Sequence, residues 1–270
     1  MIHILTIHWQ TDKWIDLQIQ YIEKNIKSDF KIYAFLNDLP SDHSKKFFYT
    51  CTEPIEEHSV KLNLLADMAI LHSNNVNDWL MFIDGDAFPI GDIVSFAKVK
   101  LEKYPLVAIQ RRENYLGDSL PHPSFCLTTI GFWKEIGGTW NRSFLANFLG
   151  KPLYEVGGSL QQHLQDKGIV WYPMLRSNKK NLHPVMFGIY EDIIYHHGAG
   201  FRFPTSRIDK HSLGIIKRFY LILNNKMPNR IKKLLTPNNI FFRKNKELSE
   251  EVYFSILNNP EFYRFFIEET

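Results

Sequence analysis

The chain has 270 residues, 44% of them hydrophobic and 14% aromatic, and a net charge of +3. That length can bury a full core, as one large α/β domain or one domain with an appendage, and the composition excludes a disordered chain. No apolar run reaches the ~18 residues that a membrane-spanning helix needs, and with only Cys51 and Cys126 there is no disulfide framework or structural zinc pattern, so a reducing cytoplasm is the expected setting.

The amino terminus enters a strand pattern at once, over 3–8, with no charged leader and cleavage site. Apolar residues at helical spacing follow over 13–26, at Trp14, Leu17, Tyr21 and Ile22. A second strand is expected over 30–36, ended by Asn37-Asp38-Leu39-Pro40, and a short third over 46–51. Val60, Leu64, Leu65, Met68 and Leu71 make a helical stripe over 59–73, broken by Asn74-Asn75-Val76-Asn77.

Next comes Trp79-Leu80-Met81-Phe82-Ile83-Asp84-Gly85-Asp86. The apolar run is too short for a helix and reads as a strand buried on both faces. It stops at two carboxylates one residue apart, which repel each other unless a cation sits between them. Gly85 is expected to let the backbone turn sharply and approach a ligand. Hard oxygen ligands of this kind suit Mg2+ or Mn2+ and, through the ion, phosphate. An ordinary Asp-Gly turn after a strand is the plainer alternative.

A further strand is expected over 105–110, then a less regular region. There, 125–130 reads as a strand, 131–136 as a short helix closed by Gly137-Gly138, 160–166 as a helix and 169–172 as a short strand. Strands alternating with helices imply an α/β fold with a mainly parallel sheet, whose ligands bind beyond the carboxyl ends of the strands. Thr6, His8, Asn37 and the Asp84-Gly85-Asp86 group all fall at such ends.

Charge divides the chain unevenly. Residues 1–201 carry −3, residues 202–246 carry +11 with Asp209 as the one acid, and residues 247–270 carry −5. Basic blocks of this kind meet phosphate on nucleic acid, lipid or substrate. Helices are expected over 212–224, 229–235, 249–258 and 260–268, punctuated by Pro228 and Pro237. The basic segment 202–246 carries Phe219, Tyr220, Phe241 and Phe242, a mixture that suits an anionic bilayer or docking on the body with the charges in water.

A second constellation, Tyr195-His196-His197-Gly198-Ala199-Gly200-Phe201-Arg202-Phe203-Pro204, joins imidazoles to glycines and an arginine. Imidazole can complete a Mn2+ site, and glycine amides with Arg202 can meet phosphate.

With these two groups the chain resembles the nucleotide-sugar glycosyltransferases of the Rossmann-like GT-A fold. Phe82-Ile83-Asp84-Gly85-Asp86 takes the place of their DXD motif. His197-x-x-Gly200-x-Arg202-x-Pro204 is similar to the carboxyl-terminal metal segment of the glycogenin and lipopolysaccharide-galactosyltransferase group, except that Phe203 and Thr205 flank Pro204 where that group has Lys-Pro-Trp. The likeness covers about residues 1–205, giving an expected catalytic domain over 1–204 and a helical extension, basic then acidic, over 205–270.

The resemblance implies a divalent-metal-dependent hexosyltransferase using a nucleoside diphosphate sugar as donor and a saccharide or lipid-linked glycan as acceptor, in surface polysaccharide or lipopolysaccharide synthesis. It gives Asp84 to the ribose, donor sugar or metal, Asp86 to the metal, and His197 as third ligand with His196 as alternative. Thr6, His8 and Asn37 would lie near the nucleotide, as would Gly85, Gly200 and Arg202. His58, Lys61 and Asn63 could contact base, ribose or phosphate, or serve as helix cap and surface. Glu155 is the candidate general base, with Asp192 second, and an ordinary surface acid is the alternative. Trp133, Trp140 and Trp171 could stack on sugars, with core packing expected for at least two. The protein is expected in the cytoplasm, at the inner membrane face where 202–246 meets anionic lipid.

Two rivals differ in class. A DxD phosphatase of the haloacid dehalogenase type carries its motif near the amino terminus and continues to Thr, whereas 83 residues precede this one and Ala87-Phe88 follow. A nucleic-acid-binding protein could use the basic 202–246 block, but no zinc or RNP-like motif accompanies it and the acidic strand would be unexplained, so no nucleic acid is expected.

Overall fold

The computed structural model describes residues 1–113, 119–148, 151–183, 185–198 and 237–268. In chain order, β1 (Ile2–Trp9), α1 (Ile15–Asn25) and β2 (Phe30–Asn37) lead to a 3-10 turn (Ser44–Lys46) and β3 (Tyr49–Cys51). Then come α2 (His58–Leu71), β4 (Trp79–Asp84), β5 (Ala87–Pro89), α3 (Ile93–Leu101), β6 (Leu106–Ile109) and β7 (His122–Thr129). They are followed by α4 (Ile130–Ile136), β8 (Ser143–Phe148), β9 (Lys151–Glu155), α5 (Gly158–Asp166) and β10 (Tyr172–Met174). The short strands β11 (Gly188–Tyr190) and β12 (Ile194–His196) and the helices α6 (Pro237–Asn258) and α7 (Arg264–Ile267) complete the described chain.

The main sheet has seven strands in the order β10-β6-β7-β4-β1-β2-β3. Its pairs are parallel except those of β7, which runs against both β4 and β6. The mainly parallel α/β architecture expected from the alternating pattern is present. β4 shows why it is a central strand. Leu80 and Phe82 enter the core under α2, α4 and α5, while Met81 and Ile83 enter the core under α1 and α3, all fully buried. Successive side chains leave a strand on opposite faces, so an unbroken apolar run is what a doubly covered strand requires.

Several elements differ from expectation. The third strand shrinks to three residues, with a 3-10 turn over 44–46 ahead of it. The strand expected over 169–172 forms at Tyr172–Met174 instead. α3 was not anticipated, although Asp92 caps it by accepting from the amides of Val94 and Ser95. α4 closes as expected, with Gly137 left-handed at φ 64°.

β5, β11 and β12 form a separate antiparallel sheet in the order β11-β12-β5, with His196 opposite Ala87. That register decides the site, because it lays the 194–196 strand against the chain just past the two aspartates. The described carboxyl-terminal residues dock behind it. Val252, Ile256, Phe262 and Phe266 share a core with Trp14, Leu17, Tyr21, Phe88 and Tyr195. The Tyr253 hydroxyl donates to the Lys13 carbonyl at 2.9 Å, and that of Tyr21 to the Pro260 carbonyl at 3.1 Å. Burying one such phenylalanine stabilises by about 1.5–3 kcal/mol. The helices expected over 212–224 and 229–235 lie outside the described residues. Among the described residues no helix is long and apolar enough to cross a membrane.

Candidate metal centre

β1 is the point where the sheet changes direction, with β2 and β3 built out on one side and β4 on the other. Crevices at such switch points are where open α/β sheets bind ligands. Asp84 ends β4 there, and by alternation it leaves the strand on the face of Phe82, toward α2. His58, the first residue of α2, meets it with Nε2 3.5 Å from Asp84 Oδ1. From the small sheet, His196 Nε2 stands 3.6 Å from Asp84 Oδ2 and 3.5 Å from Asp86 Oδ1. One donor atom from each of Asp84, Asp86 and His196 can be chosen so that all lie within 4.8 Å of one another.

These separations fit a small divalent ion. Adjacent ligands on an octahedral ion with bonds of about 2.1 Å stand about 3 Å apart and opposite ones about 4.2 Å. Two carboxylates and an imidazole are a donor set that Mn2+ and Mg2+ accept. Burial opposes ionisation of Asp84, but the hydrogen bond and charge of His58, with His196 and His122 behind, hold its carboxyl well below the usual range. Burial likewise opposes ionisation of Asp86, and His196 outweighs both that and the repulsion of Asp84.

The turn carrying the acids is gripped from within. Gln18 of α1, 1% exposed, donates to the Asp84 carbonyl at 2.8 Å and to the Ala87 carbonyl at 2.7 Å, and accepts from the Thr6 hydroxyl at 3.0 Å. From the other side the Gly198 amide, at φ 79°, donates to Asp86 Oδ2 at 3.1 Å, and the His197 amide to the Asp86 carbonyl at 3.0 Å.

Several placements correct the sequence reading. His197 does not face the acids. It is fully buried, with the Tyr195 hydroxyl 2.9 Å from Nδ1, Ser249 Oγ 2.7 Å from Nε2 and the Trp14 ring at 4.6 Å, and burial pushes its pKa down to about 3. On a strand, adjacent residues point opposite ways, so the neighbouring His196 takes the inward position. Gly85 lies in the turn without a positive φ, so left-handed freedom is not what it supplies. The Gly198 amide is occupied by Asp86 rather than open to phosphate. Gly200 and Arg202 lie outside the described residues.

Thr6 and His8 are both fully buried, Thr6 spent on Gln18, and neither side chain reaches an open surface. Asn37, also buried, donates to the Glu53 carbonyl at 2.6 Å. Lys61 is 4% exposed, with Nζ 5.5 Å from the centre of the Phe35 ring, and burial lowers its pKa against the pull of Asp38. Asn63 is a loop clamp: it donates to Thr139 Oγ1 and Asn141 Oδ1 and accepts from the Trp140 amide. Trp133 and Trp140 are core residues against Phe82, and Trp171 packs at the margin of that core.

The two candidate bases part company. Glu155 is half-buried at the end of β9, two residues before Gly157, whose left-handed backbone (φ 87°) packs so close to the Pro121 carbonyl that a Cβ would come within 2.6 Å. Pro121 precedes His122, and the His122 ring lies 6.5 Å from that of His196, so the Gly157 turn that follows Glu155 packs on the flank of the site. Asp192 sits exposed in the β11–β12 turn, its amide donating to Ser177 Oγ. That is four residues from His196, roughly 13 Å along an extended chain, at the wrong end of the hairpin for proton transfer.

Two residues here escaped the sequence reading. Gln18 is one, betrayed only by its place in the apolar 14–18–22 stripe. His122 is the other. It opens the antiparallel strand, and burial followed by the charge of Arg111 holds its pKa well below the ordinary histidine value.

No protein-family model matches the sequence, and no curated protein matches it. Solved structures similar to the chain include S. aureus TarS 1-349 in complex with UDP-GlcNAc, at 9% identity and TM-score 0.37 over 52% of this chain and 48% of that one. Others are the mannosyltransferase PcManGT from Pyrobaculum calidifontis in complex with GDP-Man and Mn2+ (11%, 0.37, 51% and 46%) and the catalytic domain of Drosophila beta1,4galactosyltransferase 7 in complex with xylobiose (11%, 0.41, 74% and 71%). The chain thus spans about half the length of the first two. Likenesses this distant assign no role to any residue, and the chemistry of the site rests on its own geometry.

Proposed function

We propose that the chain is a metal-dependent glycosyltransferase of the GT-A kind, moving a hexose-type sugar from a nucleoside diphosphate to a saccharide or lipid-linked glycan acceptor in surface polysaccharide or lipopolysaccharide synthesis. The observation that carries this is the convergence of Asp84, Asp86 and His196 at the switch point of the sheet. Mn2+ or Mg2+ held there would supply positive charge to the leaving diphosphate.

The residues of the chain divide the remaining work. Asp84 and Asp86 hold the ion from a rigid strand end, kept in place by Gln18 and the Gly198 amide. The nucleoside takes the cleft of 420 Å3 beyond the ends of β2 and β3, lined by Leu36, Asp38, Leu39, Pro40, Ser41 and His43 among others. This leaves the sugar and acceptor to the β7 and β6 side. There Glu155 accepts the proton of the acceptor hydroxyl as the sugar carbon is attacked, if the anomeric centre is inverted. The basic 202–246 block serves to hold the enzyme against anionic lipid near a lipid-linked acceptor.

A thermal-shift series of UDP- and GDP-sugars with and without Mn2+ tests the reading. A ligand that binds the folded state raises the midpoint by mass action. A rise that requires both nucleotide sugar and Mn2+ is expected; no shift with any of them would refute it.

A further inference from the structure

We propose that Arg111 recognises a carboxylate on the sugar substrate, so that the transferred sugar or the acceptor sugar is a uronic acid. This rests on the glycosyltransferase reading above and deepens it.

Arg111 follows β6 by two residues, and Ile109 at the end of that strand is in register with His122. His122 in turn lies beside His196, so Arg111, His122, His196 and Asp84 follow one another along the carboxyl edge of the sheet. This is the flank away from the nucleoside cleft. With the nucleoside over β2 and β3 and the diphosphate at the ion, the sugar must extend toward β7 and β6.

Arg111 is 8% exposed, and its Nε is a buried donor without a hydrogen-bond partner among the described residues. Arg111 stands two residues past Ile109, the register partner of His122, whose ring lies 6.5 Å from that of His196, so its backbone borders the site. A lysine in such a position could shed its proton. A guanidinium cannot, so its burial calls for an anion. The acid nearest in sequence, Glu113, makes no ion pair with Arg111 and meets the Tyr190 hydroxyl instead, its Oε1 accepting at 2.5 Å.

Charge matching selects the class of anion. One guanidinium offers a planar fork and a single positive charge, which fits a carboxylate. A second phosphate-sized charge would need a second free cation. The neighbouring Arg176 is committed elsewhere, donating from Nη2 to the carbonyls of His183 and Met186 and from Nε to Asn178 Oδ1. The diphosphate of the donor is already served by the ion site. No acid among the described residues pairs with Arg111, and a sugar-borne carboxylate is the anion assigned to it.

The experiment is calorimetric, with Mn2+ present throughout and UDP or GDP alone as control. The donor arm compares UDP-glucuronate with UDP-glucose and GDP-mannuronate with GDP-mannose. The acceptor arm adds methyl glucuronide or methyl glucoside to the protein saturated with UDP or GDP. In one arm the uronate should bind at least about tenfold tighter than its neutral partner, and that arm identifies whether donor or acceptor carries the acid. Arg111→Gln should abolish the preference while leaving UDP or GDP binding unchanged, and Arg111→Lys should restore part of it. Arg111→Met should melt no lower than the wild type, since a buried charge without a partner does not hold the fold together.

Normal nucleotide binding with no uronate preference in either arm would overturn this proposal alone. A preference surviving in Arg111→Gln, or a midpoint lowered by more than about 5 °C in Arg111→Met, would also overturn it. Absence of any Mn2+-dependent UDP or GDP binding would overturn the glycosyltransferase reading and this inference with it.

Discussion

Gln18→Leu should damage both the fold and the metal centre. The glutamine makes two donated bonds, to the carbonyls of Asp84 and Ala87, and accepts one from Thr6, in a position 1% exposed. Leucine fills similar space but leaves two carbonyls and a hydroxyl buried without a partner. Each such group costs about 1–3 kcal/mol. Set against about 1 kcal/mol regained from the added apolar surface, the net loss is about 2–8 kcal/mol. That is a large part of the ~5–15 kcal/mol that holds a typical domain together. The two carbonyls bracket the Asp84-Gly85-Asp86 turn, so release of their partner should also lower Mn2+ affinity about 10–100-fold, as loss of an outer-shell partner does. Urea denaturation followed by tryptophan fluorescence gives the first quantity, and calorimetry below the unfolding transition gives the second. A stability loss under about 1 kcal/mol with unchanged Mn2+ affinity would refute the claim that Gln18 holds the turn.

The adjacent histidines should separate cleanly. His197→Ala should cost about 2–4 kcal/mol, because it empties a core position and strands the Tyr195 and Ser249 hydroxyls, while His196→Ala should cost Mn2+ affinity at least about tenfold and little stability. Denaturation and metal titration of both variants check this, and the opposite pattern would restore His197 as the ligand. His8 gives a pH dependence. Burial pushes its pKa down to about 4, whereas the unfolded value is about 6.5. Between those values the unfolded chain holds the extra proton at His8, so its contribution to stability falls as pH drops, by at most about 1.4 kcal/mol per unit, and is unaffected above the unfolded value. His8→Phe should flatten that part of the urea-midpoint profile between pH 7 and 5, and an identical slope in the variant would acquit His8.

The architecture was legible where a pattern ran long enough to have a period. β4 announces itself as a continuous apolar run and β1 and β2 as largely apolar ones. α2 forms where helical spacing placed it, but it buries Leu62, Leu65, Ala66 and Ala69 and leaves Val60, Leu64 and Leu71 of the expected stripe exposed. The acidic pair was legible because two carboxylates one residue apart at the end of a buried strand repel each other unless a cation sits between them. The choice between His196 and His197 was not. A three-residue strand carries too little pattern to reveal its register, and a shift of one residue exchanges the two faces. The pairing of β12 with β5, which creates the site, was hidden for the same reason. His122 was overlooked because attention to the carboxyl ends of parallel strands passes over the amino end of an antiparallel one. β7 runs backward, so its first residue lies where the last residue of its neighbour does. Gln18 did leave a trace, a polar side chain in an apolar helical stripe between Trp14 and Ile22, and its meaning came only with the turn it supports.

Titration of Mn2+ into the wild-type protein and Asp86→Asn, each with UDP or GDP present, tests the metal centre most directly. Asp86 is buried and stands 3.5 Å from His196. One saturable Mn2+ site is expected in the wild type and its loss in the variant, with the variant still folded. Equal Mn2+ binding by the two proteins would contradict the assignment of Asp86 to the ion.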